Sequence, residues 1–122
     1  MIVKMAENIE TRKMEVLDPH GYVYITTNNI NGKKYIGQKI FNKDLNNYLG
    51  SGTYLKNALK KYGRENFSKE IIAIAYSKEE LDKLEIEFIK NHNAVDSEDY
   101  YNISHGGGLH LAHTFQKKLR RN

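Results

Sequence analysis

The chain has no cysteine among its 122 residues, which excludes disulfide frameworks, thiolate metal centres and cysteine nucleophiles and points to a reducing compartment. No apolar run approaches the roughly 20 residues a membrane helix needs, and Met1–Glu10 lacks the apolar centre of a secretory signal. A soluble cytoplasmic protein without a membrane partner is expected. Proline is nearly absent as well. Pro19 alone is present, inside the turn-prone Asp18-Pro19-His20. The length leaves room for one domain of about 100 residues plus terminal extensions, and a second full domain is not expected within it. The expected organisation is an N-terminal extension over 1–20, a domain over 21–108 and a basic tail over 109–122.

Charge is present in blocks. Residues 33–61 hold seven lysines and one acid, residues 62–104 five bases and ten acids, and residues 105–122 four bases and no acid. Two basic blocks separated by an acidic one could track a polyanion, although charge runs on soluble proteins are usually solvated faces.

Tyr22-Val-Tyr-Ile-Thr-Thr27 is rich in aromatic and β-branched residues and reads as a strand. Asn28–Gly32 supplies turn residues and Lys33–Gln38 returns, which makes a β-hairpin. The polar stretch Lys39–Gly52 follows as a functional loop. Thr53 is placed to cap a helix with Leu55, Ala58, Leu59 and Tyr62 on one face and Gly63 as its stop, leaving Lys56, Lys60 and Lys61 outside that stripe. The apolar run Phe67–Tyr76 reads as a buried, central strand. Ser77 and Glu80 form a capping box that opens a second helix, ending near Asn91. Tyr100–Ile103 looks like a short extended return before the glycines at 106–108. The fold class is α/β (α+β), a small central antiparallel β-sheet flanked by helices.

On the second helix, at roughly 100° per residue, Leu81, Leu84, Phe88 and Ile89 share an apolar arc and Glu85 falls inside it. A carboxylate there needs a partner, either a cation or N–H groups within the core or a metal. Tyr24 and Tyr35 lie eleven residues apart. Strand tyrosines are usually packing residues, yet Lys34 beside Tyr35 offers a way to depress its phenol pKa toward that of a general base, and Gly37 leaves room for a phosphate. The five histidines lack the spacing of a metal cluster. His105 is within reach of a site near the glycines.

Gly21-Tyr22-Val23-Tyr24 followed by Tyr35-Ile36-Gly37 resembles the two signature halves of the GIY-YIG nuclease family, with Val23 and an extra tyrosine as departures in the first half. Tyr48-Leu-Gly-Ser-Gly52, Lys60-Lys-Tyr-Gly-Arg-Glu-Asn-Phe67, Glu85 and Tyr101-Asn102 are similar to the phage homing-type branch, so the resemblance runs from about Gly21 to Gly108. It implies a divalent-metal-dependent endonuclease acting on DNA, with Mg²⁺ or Mn²⁺ and no small-molecule cofactor. By position, Tyr24 would act as general base or orient the attacking water, and Tyr35 would hydrogen-bond near it. Glu85 would hold the metal and Asn102 would help fix the site. The arginine that many members carry after the second half is missing, since none lies between Gly37 and Arg64. Lys34 and Lys39 are the candidate replacements, and Gly37, Lys56, Lys60 and Lys61 are candidate nucleic-acid contacts. The competing reading is a catalytically weak or inactive nucleic-acid-binding module of the same fold.

Overall fold

The computed structural model describes residues 2–5 and 14–107. The basic tail over 109–122, with Gly108, His110 and His113, lies outside the described residues. Two short strands, β1 (Ile2–Met5) and β2 (Met14–Leu17), pair antiparallel with each other, in a segment where the sequence shows little periodicity. The main sheet has three antiparallel strands, β3 (Gly21–Asn28), β4 (Lys34–Ile40) and β5 (Phe67–Ala75), in the order β4-β3-β5. Helix α1 (Thr53–Tyr62) and a 3-10 turn over Arg64–Asn66 link β4 to β5, and α2 (Lys78–Asn91) follows.

The hairpin β3–β4 pairs Tyr24 with Gly37 and Ile25 with Ile36. Alternation therefore sends Tyr22, Tyr24, Thr26 and Asn28 to one face and Val23 and Ile25 to the other. All of β3 except Ile25 and Thr27 is buried, because both faces are covered. Val23 and Ile36 pack with Leu81 and Ile89 of α2 in one core cluster. On the opposite side α1 contributes Leu55, Ala58 and Leu59 to a second cluster with Phe67 and Tyr101. The segment between β4 and α1 is pinned over the tyrosine face: Thr26 Oγ1 donates to Leu49 O at 2.6 Å, and Lys69 Nζ donates to Leu45 O.

Two expectations are corrected. β5, not buried centrally, is an edge strand, and β3 is the centre. The register of β5 on β3 slips between Val23 and Tyr24, whose partners are Ala73 and Ile71. This bulge at Ile72 lets both Ile72 and Ala73 pack against the α2 cluster, while Ile71 and Ile74 are left about 40% and 39% exposed. The run is apolar along the chain, yet it does not have two covered faces. The N-cap of α1 is Gly52 without a side-chain bond, so Thr53 is the first helical residue and not the cap. The Ser77 cap is present, its side chain accepting from Glu80 N at 3.1 Å, and Gly63 ends α1.

Candidate active site

β4 is the other edge of the sheet, and a strand edge leaves the N–H and C=O of alternate residues unpaired. Here three successive outward positions, Lys34, Ile36 and Gln38, are met. Lys34 N donates to Asp99 O at 3.0 Å and Lys34 O accepts from Tyr101 N at 2.7 Å. Two residues on, the buried side chain of Asn102 takes the place of a strand: Ile36 N donates to its Oδ1 at 2.9 Å and its Nδ2 donates to Ile36 O at 2.7 Å. At Gln38 the backbone N–H is met by the carboxylate of Glu85. Asn102 and Glu85 are thus held at fixed heights along one strand edge.

Glu85 is only 7% exposed. Its Oε1 accepts from Gln38 Nε2 at 2.8 Å and from Gly107 N at 2.7 Å. The turn that brings Gly107 there depends on Gly106 at φ 98, where a Cβ would sit 3.0 Å from Glu85 Oε1. All these partners are neutral, and among the described residues the ion pair at this site is Lys78–Asp82 at 2.9 Å, not one to Glu85. Burial raises the Glu85 pKa above the ordinary carboxylate range, against the lowering effect of the Gln38 and Gly107 bonds. Asp82, one turn earlier, accepts from the same Gln38 Nε2 at 2.8 Å. The bonds from Gln38 and Lys78 hold its pKa below the usual range.

Tyr24, Tyr35, Glu85 and Asn102 line one cavity of about 340 Å³ that wraps the β4 edge. The two tyrosines approach from one face of the sheet and α2 from the other. Tyr24 is 1% exposed and hydrogen-bonds Tyr48. Its phenol pKa is pushed up by burial first, then by Tyr35 and Tyr48. That of Tyr35 rises to about 12, through burial and Glu85, in spite of bonds to Ser51 and Gly52. Depression of the Tyr35 phenol by Lys34 is therefore overturned. The Lys34 ammonium turns away to Gly32 O at 3.4 Å, and desolvation dominates.

The space at Gly37 is filled by the Tyr24 hydroxyl and the Tyr35 ring, which a Cβ would strike. It seats the tyrosines and does not leave a gap for a phosphate. Lys34 and Lys39 do not line the cavity. Lys39 Nζ lies 4.7 Å over the ring of Tyr48. Lys56, Lys60 and Lys61 are exposed on α1, with Lys61 in a separate groove. His105 lines another hollow, beside Ile86 and Lys90. The lysine that does reach the cavity is Lys78. Gln38, Asp82 and Lys78 carry no signal of their own in the sequence. They are found only once Glu85 is fixed, Asp82 by lying three residues earlier on the same helix face and Gln38 by lying two residues beyond Ile36 on the same strand edge.

A family model described as "Putative endonuclease segE, GIY-YIG domain" matches residues 5–104. Similar proteins include the putative endonucleases segE and segD of Enterobacteria phage T4. They are 48% identical over 87 residues and 42% identical over 85 residues, each match covering 70% of this chain. The matches take up 42% and 38% of those proteins, so the chain spans about two fifths of the length of the curated relatives it matches. Among solved structures, the catalytic domain of homing endonuclease I-TevI is similar at 27% identity with a TM-score of 0.51, over 69% of this chain and 98% of that one. A point mutant of the same catalytic domain gives a TM-score of 0.55 at 24% identity, over 70% and 95%, and its sheet-and-helix fold is the one seen here. With the paired signature on one hairpin and a family match over most of its length, the chain belongs to the GIY-YIG nuclease family.

Proposed function

We propose that this domain is a divalent-metal-dependent DNA endonuclease of the phage homing type. The observation that carries the reading is the convergence of Tyr24, Tyr35, Glu85 and Asn102 on one cavity at the open edge of β4. A buried carboxylate held only by neutral donors suits a hard cation, which prefers oxygen ligands and keeps several of its own waters. Glu85 would hold Mg²⁺ or Mn²⁺, with Asp82 near enough to share Gln38 with it. When bound, such a cation supplies Lewis-acid polarisation of a phosphoryl oxygen.

The chain's own groups do the rest. Asn102 fixes the backbone of Ile36 and with it the positions of Tyr35 and Gly37. Tyr24 and Tyr35, kept protonated by burial, orient the attacking water by hydrogen bonding at neutral pH, the second of the two roles open to Tyr24. Lys78 supplies positive charge at the cavity in place of an arginine, as a point charge without the bidentate fork.

The pairing of Lys78 with Asp82 favours a second reading, a module that binds nucleic acid and cleaves it poorly, because that ammonium is already engaged. Supercoiled plasmid at low salt separates the two. Nicking that requires Mg²⁺, stops in EDTA and disappears in Glu85→Gln is the expected result. Retained binding without nicking in Mg²⁺ or Mn²⁺ selects the noncatalytic module.

A further inference from the structure

A second groove, of about 240 Å³, runs between the outer face of α1 and the β3–β4 turn. One wall is helical. Tyr54, Asn57 and Lys61 stand at i, i+3 and i+7, the stripe next to the one that α1 buries in the core. The other wall holds Asn31 and Lys33 from the turn and Tyr100 from the return. This groove therefore combines aromatic faces, amide groups able to donate and accept, and two lysines, whereas the active-site cavity has one lysine, already ion-paired. Its single acid is Glu98, an acceptor suited to an exocyclic amine.

Tyr54 borders the groove with its ring, which also packs against the second core cluster, while its hydroxyl is closed off from solvent. The groove and the active-site cavity are lined by neighbouring residues of the chain. Thr53 lines the cavity and Tyr54 the groove, and Asn102 lines the cavity and Tyr101 the groove. The Tyr101 hydroxyl accepts from Asn28 Nδ2 at 3.0 Å and Asn31 Nδ2 at 3.4 Å.

We infer that this groove is a nucleotide subsite. It takes a base of the strand flanking the phosphate at the active site, stacked against tyrosine and read by Asn31, Asn57 and Glu98, with a neighbouring phosphate on Lys33 and Lys61. Stacking on aromatic side chains beside a basic rim is how single nucleotides are held without a large interface. The inference rests on the nuclease reading for which phosphate lies next door, but its test needs no cleavage.

Binding of a labelled short oligonucleotide is measured in EDTA across a salt series, for the unsubstituted chain, for Lys33→Gln with Lys61→Gln, and for Lys43→Gln with Lys90→Gln, an equal charge change at exposed sites elsewhere. The groove pair is expected to lose about tenfold in affinity and to lower the slope of log K against log salt by about two, the control pair much less. Tyr54→Trp then places a single tryptophan in a chain that has none, and its fluorescence is expected to be quenched by the oligonucleotide and not by poly-aspartate. Equal losses in the two pairs overturn the subsite, and so does quenching by either polyanion alike, which would leave only an anion site. A chain that shows the groove-specific loss but never nicks plasmid keeps the subsite and loses the nuclease. A chain that nicks with the groove pair behaving like the control does the reverse.

Discussion

Glu85 has a proton affinity raised by burial, and the sign of its effect on stability follows from that. A carboxyl whose folded pKa lies above its unfolded value contributes stability at pH below the unfolded value, and that contribution is lost as pH rises through the folded pKa. Glu85→Gln keeps the shape and an acceptor oxygen for Gln38 and Gly107 while removing the charge. Its thermal midpoint relative to the unsubstituted chain is expected to rise between pH 4 and pH 7, in melts monitored by circular dichroism at both values. A difference that stays constant or falls with pH would mean that the carboxylate is not paying a desolvation cost. Tyr24 makes a complementary case. Tyr24→Phe retains the buried ring and removes the hydroxyl, so the fold should persist while metal-dependent nicking falls by about a hundredfold or more. Unchanged nicking would reduce Tyr24 to a packing residue. At this scale the sequence was legible where burial and chemistry conflict: Glu85 stands out on a helical wheel. The Tyr35 pKa was not legible, because the adjacent Lys34 in the chain is not adjacent in space, and burial depends on Gly50–Gly52 and α1 closing over the ring.

At the level of elements, β4 explains why the site sits where it does. An antiparallel strand exposes backbone groups at every second residue along its open side, and here Lys34, Ile36 and Gln38 are met in turn by the backbone of Asp99 and Tyr101, by Asn102 and by Glu85. Asn102→Ala removes two bonds and strands a buried N–H and C=O, at a cost of about 2–4 kcal/mol. Urea unfolding measures it, and a loss below half a kilocalorie would mean that water replaces the clamp. Gly37→Ala should cost about 1–3 kcal/mol, since the Tyr24 and Tyr35 rings must shift to admit a methyl group. The hairpin, both helices, the Ser77 cap and the Gly63 stop were readable because each depends on residues within a few positions of one another. Strand order was not. Whether an apolar strand is central or at an edge depends on what else pairs with it, and the bulge at Ile72 removed the alternation that would have marked an exposed face.

For the molecule as a whole, the boundary of the folding unit can be drawn from pairing. β1 and β2 pair only with each other among the strands of the two sheets, four residues each, and a two-stranded ribbon adds little independent stability. Both core clusters draw their buried members from Val23 through Tyr101. The sequence places the boundary after residue 20, at the turn around Pro19. The structure moves it slightly, because His20 N donates to Ala75 O at 2.8 Å and His20 O accepts from Phe41 N at 3.2 Å, which ties the residue to the segments on both sides of β3. A chain over 18–122 should therefore unfold as cooperatively as the full chain, with a midpoint within a few degrees of it. A chain over 21–122 loses both bonds at the end of the central strand and should be less stable by about 1–2 kcal/mol. Urea denaturation of the three chains decides the matter. Equal stability of the two shortened chains would put the boundary back at residue 20, and loss of cooperative unfolding in the 18–122 chain would make the β1–β2 ribbon part of the folding unit.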